Sequence, residues 1–223
     1  MERLGGGIQS MKRHGNLFHK IVDLDNILLA HENAKKNKSH YPEVKRINLD
    51  PKKYALEIQH LLKSKTFTTS DYAVFWKNCG TKSRWIYKLP YYPDRIVQHA
   101  VMQIIEPILV PSLIRDTFQS IKSRGNHDAR KRVEKAIRNC NPQYALKFDI
   151  KQFYPSVDNQ KLKELLRRKI KCRDTLWLLD NIIDSTSGLP VGNYSSQILG
   201  NFYLSGFDHY AKEKLKIKHY YRY

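Results

Sequence analysis

The sequence predicts an α+β fold, an antiparallel sheet with packed helices. Three observations carry that reading. Apolar residues recur at helical spacing over long stretches, most clearly at Ile96, Val97, Ala100, Val101, Ile104, Ile105 and Ile108. Two aromatic and β-branched segments, 72–77 and 84–88, flank a polar connection and read as an antiparallel hairpin. At 223 residues and 41% hydrophobic content, the chain can bury a sizeable core.

Residues 1–10 hold Gly5-Gly6-Gly7 and no periodicity, so an unstructured extension is expected before Met11. Asp23 to Asn37 predicts a helix. Asp50-Pro51 supplies a cap and a first-turn proline for another, with Tyr54, Ile58, Leu61 and Leu62 on one face. The hairpin connection, Asn78 to Ser83, forms a basic tip. From Asp94 a core helix runs until Pro107 and Pro111 stop it. His127 to Asn139 predicts a very basic helix with Ala129, Val133, Ala136 and Ile137 inward. Tyr144 to Ile150 alternates as a strand does and carries Asp149 to its end, where Pro155 limits further pairing. Helices follow at Gln160 to Ile170 and Thr175 to Ile183. The loop Ser185 to Asn193 then leads into a long helix through Lys214, and Ile217 to Tyr223 looks like a strand.

Forty Lys and Arg against 21 Asp and Glu leave a formal net charge of +19. Self-repulsion on that scale is relieved by a polyanion, so nucleic acid heads the expected partners. The aromatic content, 11%, excludes a disordered polyelectrolyte. Cys79, Cys140 and Cys172 are odd in number and far apart, which suits neither a disulfide framework nor a zinc site and fits a reducing, cytoplasmic setting. No apolar run approaches the roughly 18 residues of a membrane span, and no signal-peptide pattern opens the chain. No membrane partner is expected.

Three segments can carry chemistry. In Phe148-Asp149-Ile150-Lys151-Gln152-Phe153-Tyr154-Pro155-Ser156, an Asp at a strand end precedes an aromatic on a turn, which could hold a divalent cation beside a sugar pocket. A helix-capping Asp and a core Tyr would give the same pattern. In Gly188-Leu189-Pro190-Val191-Gly192-Asn193-Tyr194-Ser195-Ser196-Gln197, glycines admit close backbone approach and small serines leave room for a substrate, or the segment is an ordinary capped loop. Lys77, Lys82 and Arg84 on the hairpin could fold over a triphosphate, or be a solvated turn.

The order of these blocks, with Lys88-Leu89-Pro90-Tyr91-Tyr92-Pro93-Asp94-Arg95-Ile96-Val97-Gln98-His99-Ala100-Val101 and Ser120-Ile121-Lys122-Ser123-Arg124-Gly125-Asn126-His127, resembles the reverse transcriptases. These are RNA-directed DNA polymerases of right-hand architecture, and the resemblance is strongest to those of diversity-generating retroelements. It spans residues 11–223 and implies fingers over 11–140 and an incomplete palm over 141–223, with the thumb absent. By resemblance, Asp149 is the first metal-binding carboxylate and the Ile150 carbonyl the neighbouring ligand. Tyr154 is the steric gate against a 2′-OH. Arg84 meets the incoming triphosphate with Lys77 or Lys82, and Val191 shapes the nucleotide site. Arg124, Gly125, Gly192, Ser196 and Gln197 lie along template and primer. The implied cofactor is Mg2+ in a two-metal site, and the implied partners are template RNA, cDNA or primer, dNTPs and a small accessory retroelement protein.

Ser196-Gln197 resembles the diversity-generating branch, whereas intron-type enzymes carry Ser-Pro. Val191 stands where many relatives have Gln; losing one neutral hydrogen bond weakens discrimination by roughly 0.5–1.5 kcal/mol, and an aliphatic residue here accompanies error-prone copying of adenines in the family. The usual Tyr-x-Asp-Asp block is not in the sequence, although 218–223 resembles the strand leading into it, with Tyr223 its first residue. Asp158 and Asp208 are expected to be structural or solvent-facing rather than substitutes. The chain is therefore expected to be an inactive fragment by itself. The alternatives are a group II intron-type or other bacterial reverse transcriptase, or a non-catalytic RNA-binding module.

Overall fold

The computed structural model describes residues 13–80 and 82–223. The extension expected over residues 1–10 lies outside the described residues, as does the side chain of Lys82. Four helices come first: α1 (Phe18–Ile21), α2 (Leu24–Ala34), α3 (Pro42–Leu49) and α4 (Pro51–Lys63). The Asp50 carboxylate accepts the Lys53 backbone N–H at 3.1 Å and Pro51 opens the helix, so the start of α4 is locally encoded. Its apolar stripe buries Ala55, Ile58 and Leu62.

Strands β1 (Ala73–Cys79) and β2 (Lys82–Lys88) pair antiparallel, with Trp76 opposite Trp85 and Lys77 opposite Arg84. Both strands run further toward the tip than expected, because Gly80 turns the chain in the left-handed region at φ 65°. Among the described residues this hairpin is the whole sheet. The α+β class holds, but the larger sheet expected between helices is not formed.

A kinked turn over Tyr91–Arg95 leads into α5 (Ile96–Leu109), the central helix, which packs against α1, α2 and α9. Contrary to expectation, α5 continues through Pro107, since a proline in the last turn forfeits one hydrogen bond without displacing the helix. Helix α6 (Asn126–Cys140) forms as predicted yet buries none of its residues, and Ile137 is exposed. It is tied down by charge, through Arg132 to Asp116 at 2.6 Å and Asp128 to Arg115 at 2.7 Å. Of the inward face expected from Ala129, Val133, Ala136 and Ile137, the first three are half-buried and Ile137 is not inward.

Tyr144 to Ile150 is extended but joins no ladder among the described residues, and Tyr144, Leu146 and Phe148 are exposed. Alternation fixes which side chains share a face; a strand also needs a neighbour whose N–H and C=O groups meet its own. Helices α7 (Asn159–Lys169), α8 (Arg173–Ile183), α9 (Tyr194–Tyr203) and α10 (Ser205–His209) follow. The Asp158 carboxylate caps α7 by accepting the Lys161 N–H at 2.9 Å. The single helix expected through Lys214 is divided at Leu204. There the Ser205 hydroxyl donates to the Phe202 carbonyl at 2.7 Å, competing with the helical ladder.

Ile217 to Tyr223 does not form the expected strand. It docks by one parallel bridge, with Arg222 N–H donating to Asp116 O and Phe118 N–H to Arg222 O, each at 2.9 Å. One hydrophobic core links α1–α5 with α7–α9 and includes Val157, Leu162, Leu166 and Leu178, so residues on both sides of position 140 share it. No helix among the described residues is long and apolar enough to cross a membrane.

Candidate functional site

The Tyr154 turn, the Gly188 loop and α9 are built against one another. Gln152, at φ 51°, reverses the chain, and the 3-10 turn Tyr154–Ser156 follows. The Tyr154 carbonyl accepts the Leu189 N–H at 2.8 Å. Gly188 has φ 73°, and a Cβ there would collide with the carbonyls of Pro155 and Tyr154. Only glycine allows that approach. On the other side, a Cβ at Gly200 of α9 would lie 3.2 Å from the Phe153 ring and 3.3 Å from the Tyr154 ring. Tyr154 is thus held partly buried, and burial raises its phenol pKa against the opposing charge of Arg222.

The hairpin base seats on the same loop. Tyr87 N–H donates to the Val191 carbonyl at 3.0 Å, and a Cβ at Gly192 would stand 3.0 Å from the Tyr87 oxygen. The ladder places Lys77 and Arg84 directly opposite each other, on the face that also carries Phe75 and Ile86. Like charges facing across a ladder are unfavourable unless an anion lies over them. Both cations are exposed. Trp76 and Trp85 occupy the other face with ring centroids 5.0 Å apart, a cross-strand pair that stiffens the hairpin.

Tyr154, Val191, Gly192 and the hairpin therefore belong to one assembly. The remaining candidates stand apart from it in different ways. Asp149 and Ile150 end the extended run in solvent, and Asp149 makes no ion pair or side-chain hydrogen bond among the described residues. No group of three or more His, Cys, Asp or Glu capable of holding a metal occurs among the described residues. As one hard oxygen ligand, Asp149 fits a magnesium ion, but it would need further donors. The Arg124 guanidinium donates to the Ile114 carbonyl at 3.0 Å, and Gly125 is the residue from which α6 starts. Burial, reinforced by nearby Arg115, lowers the Arg124 pKa. Ser196 is buried with an unpartnered hydroxyl, while its neighbour Gln197 is exposed.

Several polar residues that shape the site lie within the quoted blocks, but their partners are not visible in the sequence. The Ser195 hydroxyl donates to Gln98 Oε1 at 3.0 Å, joining the loop to α5. Asn193 Nδ2 donates to the Tyr72 hydroxyl at 3.0 Å, which in turn meets Ser185 Oγ at 2.9 Å. His99 stacks flat on Tyr194 at 4.6 Å. Besides that loop, a further sequence signal for this network is Gln98, a polar residue inside an otherwise apolar periodic run. Asp208, fully buried, accepts from Arg222 Nε at 2.9 Å and from the Tyr220 hydroxyl at 2.7 Å, so its role is structural.

The fold and site define an α+β chain with a cationic hairpin seated on a glycine loop, a wedged tyrosine and, at Asp149, a carboxylate without an ion-pair partner among the described residues. Comparison with protein-family models finds no match. Among curated proteins, the chain is similar to Protein YkfC of Escherichia coli strain K12, at 25% identity over 140 residues. That similarity covers 56% of this chain and 37% of YkfC, so the chain spans well under half of that relative's length.

Proposed function

We propose that this chain is the fingers and part of the palm of an RNA-directed DNA polymerase, closest to the diversity-generating retroelement type. The observation that carries the reading is the joining of three separate sequence blocks through two backbone hydrogen bonds, Leu189 to Tyr154 at 2.8 Å and Tyr87 to Val191 at 3.0 Å. In this reading Arg84 and Lys77 neutralise the incoming triphosphate, the Tyr154 ring crowds the sugar, and Asp149 with the Ile150 carbonyl holds part of the magnesium site. Phosphoryl transfer needs two metal ions about 3.5–4 Å apart, clamped by more than one carboxylate. With Asp149 alone, these residues bind nucleotide and template without joining them.

Photocrosslinking of a labelled dNTP tests this. Crosslinking should rise with Mg2+ and fall in both Asp149→Ala and Arg84→Ala; equal labelling in all three proteins would overturn it. Primer extension on an RNA template should be absent with the 223-residue chain. In a polypeptide carrying this chain together with the Tyr-x-Asp-Asp aspartates, Val191→Gln should lower errors opposite template adenine. A second reading, a non-catalytic RNA-binding module, is favoured by the absence, among the described residues, of any group of three or more His, Cys, Asp or Glu that could hold a metal. Mg2+-independent crosslinking with intact RNA binding would select it.

A further inference from the structure

On the inner face of the hairpin, a crevice of about 150 Å³ opens between β2, the start of α5 and the residues after α2, its walls including Tyr41, Phe75, Lys88 and Arg95. A second cavity of about 20 Å³ adjoins it, sharing Leu89 and Arg95 and reaching Gln98 and His99. Arg95 is only partly exposed and lines both spaces. Neither Arg95 nor Lys36, Lys38 or Lys88 has a carboxylate within ion-pair distance among the described residues. Glu43 is the acid in the crevice wall, and its carboxylate is engaged by the Tyr91 N–H at 3.2 Å.

A half-desolvated guanidinium without a counter-charge is unfavourable, and a second cation nearby makes it more so. Burial and the charge of Arg95 together lower the Lys38 pKa, so the two cations stand close enough to feel each other. Deeper in, Gln98 commits its Oε1 to Ser195, leaving Nε2 a buried donor without a partner among the described residues. The small cavity has room for about one water, which could relay that donor to an anion on Arg95.

We propose that this crevice binds a phosphate group of a polynucleotide strand, with Arg95 as its main ligand and Lys88 beside it in the wall. The choice of a nucleic-acid strand rests on the polymerase reading; the phosphate site itself does not. Lys88 already sits 5.3 Å from the Tyr41 ring centroid, pairing a cation with an aromatic surface as a base and phosphate would need.

Fluorescence anisotropy with a short labelled single-stranded RNA reads the site directly. Arg95→Gln should weaken binding roughly tenfold and lower the salt slope by about one, and Lys88→Gln, at an exposed rim position, should weaken it about threefold. Lys131→Gln, removing an exposed α6 cation, should change it less than about twofold. Arg95→Lys should recover part of the loss, and thermal unfolding of each variant checks its fold. RNA affinity unchanged in both Arg95→Gln and Lys88→Gln would overturn the proposal, even if one variant were poorly folded. Inorganic phosphate at constant ionic strength separates the sources. If it raises the Tm of the parent but not of Arg95→Gln while RNA affinity is unchanged, the ligand is free phosphate and the strand is ruled out. Neither readout requires DNA synthesis, so a failure of the polymerase reading is distinguishable from a failure of this site.

Discussion

Ile105, in the middle of α5, has no solvent exposure, while Leu146, in the extended run after α6, is 83% exposed. The two residues are comparable hydrocarbon side chains in segments of clear periodicity. Around α5, elements α1, α2 and α9 converge and each supplies an apolar face. From α6 to Ile150 no residue is fully buried, and the ion pairs Arg132 to Asp116 and Arg115 to Asp128 tie α6 to the rest of the chain. Periodicity thus states what a segment can bury; convergence of other elements decides whether it does. Regions held by few apolar contacts open at low free energy, so the second region belongs to the less stable part of the molecule.

The widest separation between the regions should come from the buried ion pair that closes the C-terminal segment onto the core side. Removing Arg222 leaves Asp208 buried and uncompensated, so Arg222→Ala should cost about 3–5 kcal/mol in urea unfolding. A cost under about 1 kcal/mol would mean that this segment is no better anchored than α6. Next in size, Ile105→Ala should cost about 2–5 kcal/mol, whereas Leu146→Ala should stay within about 0.5 kcal/mol. Equal losses would erase the contrast and show that Leu146 is covered.

A pH titration sharpens the same comparison. Burial first, then the charges of Arg95, Lys38 and Lys36, lower the His99 pKa from 6.5 to about 4. Between those values the unfolded chain binds a proton that the native chain refuses. This contribution is therefore complete above pH 6.5 and declines on acidification toward pH 4, by at most about 3 kcal/mol. His209 works in the opposite direction, since its hydrogen bond to Glu213 raises its pKa. The measurement is accordingly the difference between the parent and His99→Gln, whose stability should be less steep across that window. A smaller loss than that of Ile105→Ala is local: Asp50→Ala, which removes the α4 cap, should cost about 1 kcal/mol by the same assay.

Much of the molecule is legible in its amino-acid order. The Asp50-Pro51 start of α4 and the pairing of the two aromatic segments depend on neighbours close in sequence, and both are present in the fold. The Tyr144 to Ile150 run is legible only as a pattern, because a ladder needs a second strand. Within the site, Gly188 and Gly192 are recognisable as turn residues, but not which backbone they admit. That depends on the Tyr154 turn and on Tyr87, far away in the chain. Arg95 is one residue of a longer motif and gives no local sign of its importance, since its unpaired state is a property of what surrounds it.

The sequence by itself determined the helical faces, the hairpin, the caps and the excess of positive charge, all consequences of short-range sterics, hydrogen bonding and composition. Only the tertiary structure decided that Arg222 meets Asp208, that Tyr154 is wedged between Gly188 and Gly200, and that α6 stays open. Those outcomes rest on encounters between distant segments, whose geometry no local preference specifies.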